Sequence, residues 1–185
     1  MELLVVMGLF SMTVLMASDV FLLSNRAQRR VLAITQAQGD IRFALESMVR
    51  EIRTGRIDYA SYAGNGGIAV PANHLIILSA AGSKEDFYVE TSNTICPTNI
   101  PKCLALSING GTAQSLTSSS VSIDRLSFYI SPAQDPFAQA SNGSYGSNIQ
   151  PTVTIAIQAK TALTAPQDTL VMNAQTTAES RTYAR

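Results

Sequence analysis

Cys96 and Cys103 are the two cysteines of the chain, and the stretch they bound, "CPTNIPKC", holds two prolines and an asparagine, a tight-loop composition. Thiols placed this way can close a small disulfide loop in an oxidising compartment, stay free, or ligate a metal. Closing so short a loop removes at most about 2–3 kcal/mol of unfolded-chain entropy. Zinc asks for four ligands, and one distant His74 does not complete the set. The disulfide is the leading reading.

Other reactive groups are sparse. His74 is the single histidine and Trp is absent. No Ser, Cys or Asp stands at a catalytic spacing from His74, which reads as the start of a strand. Asp135 and the neighbours Glu85 and Asp86 could hold a cation, but no calcium-ligand pattern surrounds them. Asn142-Gly143-Ser144 fits a glycosylation sequon, a chance match in a loop of that composition. "GNGG" lacks the lysine of a phosphate loop. Tyr59, Tyr62 and Arg56 are too few to make a nucleic-acid groove. The expectation is a protein that is not an enzyme, with no cofactor, no metal and no nucleic-acid partner.

Composition agrees. The 185 residues carry 13 basic and 13 acidic side chains, a formal net charge of zero, so the basic balance of a nucleic-acid binder is missing. Charged residues make up only 14%, and with many Ser, Thr, Asn, Gln and Ala this suits an exported, β-rich domain.

One long helix must come first. From Leu3 to Leu23 the chain is apolar except for Ser11, Thr13, Ser18 and Asp19. The apolar set includes Leu3, Leu4, Val5, Val6, Leu9, Phe10, Val14, Leu15, Val20, Phe21, Leu22 and Leu23, enough for a membrane helix of about 20 residues. A signal peptide fits less well, because "LMAS" is a poor cleavage site and the helical pattern runs on. Ala27, Val31, Ile34, Ala37, Ile41, Ala44, Leu45, Met48 and Ile52 recur at spacings of three and four, an apolar stripe for the globular part. Arg42, Glu46 and Arg50 share another face, where Glu46 can pair with either arginine. Gly55 is a helix stop. The helix is expected over about 3–54, as a membrane half (1–25) and an amphipathic half (26–55).

Residues 56–185 read as an exported β-rich domain. Strands are expected at 74–80, 86–91, 103–108, 121–130, 152–159 and 169–176, with a bulge near Asp124–Arg125 where the apolar phase slips. The polar stretch 131–151 is a long surface loop. With no helices alternating with strands, the class is α+β: a long helix packed on a small, mostly antiparallel sheet domain.

The opening "ELLVVMGLF" (2–10) resembles the N-terminal segment of type IV pilins and pseudopilins, in which a leader ending in Gly precedes a short apolar stretch, a Glu and an apolar helix. Glu2 matches the family glutamate, and Leu3, Leu4, Val5 and Val6 the residues after it. "RFALESMVREIRTG" and "NAQTTAESRTY" resemble the second helix half and last strand of the minor pilin and J-type pseudopilin branch. The resemblance implies a non-catalytic filament subunit of a type IV pilus, a competence pilus or a type II secretion pseudopilus. Its helix would rest in the cytoplasmic membrane, with the lipid bilayer as first partner and the C-terminal domain outside. A membrane assembly platform would then move it among the helices of other pilin or pseudopilin subunits. Glu2 would meet the terminal amine of a neighbour, while the helix N-terminus offsets part of its cost in hydrocarbon. Met1 stands directly before Glu2, so a start assigned too late or a truncated chain is expected. A chain truly beginning there would offer the prepilin peptidase no site. The rival expectation is a single-pass anchor for an exported binding domain outside any filament.

Overall fold

The computed structural model describes residues 2–63, 67–138, 149–162 and 169–181. Helix α1 spans Glu2–Thr54, about 80 Å at 1.5 Å per residue. It is followed by β1 (Arg56–Ile57), α2 (Tyr59–Ala63), β2 (Leu75–Leu78), β3 (Lys84–Glu90), β4 (Cys103–Ile108), β5 (Gln114–Ser115), β6 (Val121–Ser131), β7 (Thr152–Thr161) and β8 (Val171–Glu179). The strands form two sheets with antiparallel neighbours throughout, β1-β2-β3-β4-β5 and β6-β7-β8. The class is α+β, a long helix packed on antiparallel sheets.

Each expected strand exists; Cys103–Ile108 has the expected bounds and the others have shifted ends. The first is shorter, Leu75–Leu78, and the last runs later, Val171–Glu179. Elements β1, α2 and β5 were not expected. The expected bulge is present: Ile123 pairs with Ala159 and Arg125 with Gln158, leaving Asp124 as the extra residue. The bulge brings the Asp124 carboxylate 2.6 Å from Lys160 Nζ. Past β4, Asn109 and Gly110 both take positive φ (52° and 69°), and Gly111 N donates to Ile108 O, the geometry of a type I′ turn.

One apolar core joins the helix to both sheets. α1 contributes Ala37, Ile41, Ala44, Met48 and Ile52; the larger sheet contributes Leu75, Ile77, Phe87 and Leu104; the smaller contributes Phe128, Val153, Ile155 and Ile157. Strand β7 alternates strictly between half-buried and buried residues, the pattern of a sheet with one face on a core. The helix stripe starts later than its period suggests. Ile34 is half-buried, but Ala27 is exposed and Val31 is 61% exposed. The apolar period continues there while the sheets beneath it have ended.

Gly55 does more than stop the helix. A Cβ on it would lie 2.6 Å from both Ile77 Cγ2 and the Leu78 carbonyl oxygen. Ser180 Oγ donates to Gly55 O at 2.9 Å, tying the end of β8 to the helix exit. Only glycine lets α1 turn into β1 this close to β2.

Candidate functional site

Among the described residues, the first half of α1 carries the largest run of exposed apolar side chains. Leu3, Leu4, Val5, Val6, Leu9, Phe10, Val14, Leu15, Val20, Phe21, Leu22 and Leu23 are all exposed, Leu3 by 81% and even Val14 by 46%. So many large apolar side chains on a bare helix make a continuous hydrophobic surface far beyond what a monomer carries in water. By length and composition, this one helix is able to cross a membrane. From Glu2 to Leu23 it rises about 32 Å, close to the thickness of a hydrocarbon core.

Its hydroxyl side chains hydrogen-bond within the helix. Ser11 Oγ donates to Met7 O, Thr13 Oγ1 to Phe10 O and Ser18 Oγ to Val14 O, each at 2.8 Å. These hydroxyls thus spend their hydrogens within the helix and leave no donor unsatisfied in an apolar medium. Two ionisable groups remain: Glu2 in the first turn, where the helix dipole favours a carboxylate, and Asp19 nearer the far end. Arg26, Arg29 and Arg30 follow, all exposed.

Beyond residue 33 the helix packs on the domain. The face carrying Ala37, Ile41, Ala44, Met48 and Ile52 is buried by the sheets, while Phe43, across the helix from Ile41, is 62% exposed. Arg42 Nε reaches Glu46 Oε1 at 3.6 Å, both well exposed, so Glu46 pairs with Arg42 rather than Arg50.

The other residues singled out by the sequence lie in the domain, where the fold brings His74, Asp86 and Tyr62 together. Cys96 and Cys103 form a disulfide that is buried at the start of β4 and closes the 96–103 loop. His74 immediately precedes β2, with Nδ1 3.1 Å from Asp86 Oδ1 and its ring stacked on Tyr88 at 5.0 Å. The hydrogen bond to Asp86 raises the His74 pKa above its usual value, against a smaller opposing effect of burial. Tyr62, under the same strand, accepts from Ile76 N and donates to His74 O; burial pushes its hydroxyl up to about 12. Glu85 is raised by burial and then by the charge of Glu51. Asp135 accepts from Phe137 N. Among the described residues no three His, Cys, Asp or Glu side chains come together in a group able to hold a metal ion. The sequon Asn142–Ser144 lies outside the described residues.

A feature that no sequence pattern announced is a trough of about 1130 Å³ between the second half of α1 and β8, with Arg42, Arg50, Arg53 and Arg181 among its lining residues. Its walls are more than a hundred residues apart in the chain. The sequence places Arg42 and Arg50 on one helix face, but not Arg53, Arg181 or the strand beside them. Compared with family models, curated proteins and solved structures, the chain has no match.

Proposed function

We propose that the chain is a minor pilin or pseudopilin, a non-catalytic subunit built into, or priming, a type IV pilus, competence pilus or type II secretion pseudopilus. The observation that carries the reading is the division of α1. One unbroken helix leaves its first half wholly uncovered, headed by Glu2, and gives its second half to the core of the domain. A plain membrane anchor requires no rigid continuity between these halves, whereas a subunit drawn from a bilayer into a bundle of like helices uses it. The transfer is from one apolar surrounding to another, so the helix never enters water. Glu2, at the mouth of the span, gains from a cationic partner such as a neighbour's terminal amine.

The buried disulfide supports placing the domain outside the reducing cytosol. Arg26, Arg29 and Arg30 lie on the domain side of the span, where the charge rule for membrane topology favours the cytosol. Sidedness is therefore tested separately, by digestion of intact spheroplasts with an added protease; a domain that is protected until the membrane is opened contradicts the placement.

The test of assembly uses a photo-crosslinking amino acid at Phe10 or Leu9. In sheared filament material the reading expects adducts with the helices of other subunits, and in resting membranes adducts with lipid. Lipid adducts alone, in cells that make the filament, support the rival anchor and end the proposal.

A further inference from the structure

We propose that the trough between α1 and the free edge of β8 receives an extended, acidic segment of another protein, added to the smaller sheet as a fourth strand. This does not rest on the filament reading.

The first support is the edge. β8 is the last strand of its sheet. Thr161 N donates to Leu170 O and Ser180 N to Pro151 O, which sets the phase of the ladder. With the observed register, Met172, Ala174, Thr176 and Ala178 exchange hydrogen bonds with β7, and Asn173, Gln175 and Thr177 turn their N–H and C=O groups outward. Among the described residues nothing meets those outward groups. Natural sheets guard such edges with proline, lysine, bulges or very short strands. β1 and β5 are two-residue edges, and β6 is partly covered by Ala72 and Lys102. β8 has nine residues, no proline, no lysine and no register shift.

The second support is charge. The trough has an apolar floor that includes Leu45, Val49 and Met172, and a rim of four arginines against one carboxylate, Glu46. Glu46 is already taken by Arg42. Arg50, Arg53 and Arg181 have no carboxylate in ion-pair range among the described residues, in a chain whose net charge is zero. A strand on β8 would send alternate side chains toward the helix, apolar ones over Leu45 and Val49 and carboxylates to the arginines. Main-chain bonds supply the attachment, and the charges select an acidic sequence.

The experiment uses the full chain in neutral detergent. The probe is a labelled extended peptide of valine, threonine and glutamate, compared with the same peptide carrying lysine for glutamate. The glutamate peptide should bind, more weakly as salt rises, and the lysine peptide should not. Binding should slow hydrogen exchange at the Asn173, Gln175 and Thr177 amides. Arg50→Glu with Arg53→Glu, both exposed positions, should weaken binding at least about tenfold. Gln175→Pro should abolish binding without lowering the melting temperature, because the N–H it removes points away from β7. If that variant unfolds, the arginine pair and the exchange pattern still decide. Equal binding of both peptides, no binding, or slowed exchange at other amides overturns the proposal. Protection of the same amides in a peptide-free dimer also overturns it, since the occupant is then a second copy of the chain.

Discussion

Two truncations separate the two halves of α1. Removing residues 2–25 takes away a surface that touches nothing else in the domain, so the remainder should be a soluble, folded monomer. Removing residues 2–55 takes away Ile41, Met48 and Ile52, all buried, together with Leu45 and Val49, which pack against the same core. At about 1.5–3 kcal/mol for each fully buried large side chain and roughly half that for the two partly buried ones, the loss is about 6–12 kcal/mol. That equals the whole stability expected of a domain this size, about 5–15 kcal/mol. The cut would also strip the Gly55 carbonyl from Ser180 and the Arg53 carbonyl from the Arg181 amide. Val153, Ile155 and Ile157 would lose their cover and present an aggregation surface. Solubility, sedimentation and thermal unfolding of the two truncated proteins are the assay. A chain beginning at Arg56 that melts cooperatively as a monomer would refute the reasoning, because the helix would then not complete the core.

The glycines of α1 and its exit should respond in opposite directions. Gly55→Ala should cost about 1–3 kcal/mol, since the new methyl meets the Leu78 backbone, whereas Gly39→Ala, with open space around it, should gain about 0.5–1 kcal/mol in denaturant titrations. Equal effects would contradict the tight helix exit. Reducing the Cys96–Cys103 bond, whose partners are 7 apart in sequence, should lower stability by about 2–3 kcal/mol, read as a lower melting temperature with reductant; an unchanged melt would argue against it. His74 should titrate by NMR above its usual 6.5, and Asp86→Asn should bring it back down. The His74–Asp86 pair should therefore add less than about 1 kcal/mol at acidic pH, a contribution lost as pH rises through the raised His74 pKa.

Long-period features were legible in the sequence. The buried stripe from Ala37 to Ile52, the alternation in β7 and the bulge at Asp124 each repeat or break a period within one element, and the fold keeps them. Val31 was misplaced because a period reports which face is apolar but not how far along that face a partner extends. β1 and β5, at two residues each, are too short to show a period. The division of the strands into two sheets depends on pairings between distant segments that no local pattern encodes. The same holds for His74, which finds Asp86 across the β2–β3 pair, and for the trough, which exists only where α1 passes β8. Glu2 and the apolar run after it were read from residue types alone, and the fold leaves that run uncovered.

Incorporation of a Glu2 variant separates a filament subunit from a plain membrane anchor. Glu2→Ala should insert into the membrane and keep the domain folded with its disulfide closed, because Glu2 lies far from every core residue on α1. Filaments sheared from cells producing the variant or the parent at equal membrane levels are isolated and probed for the chain. The parent should be present and Glu2→Ala absent or strongly depleted. Equal recovery of the two would contradict the filament reading.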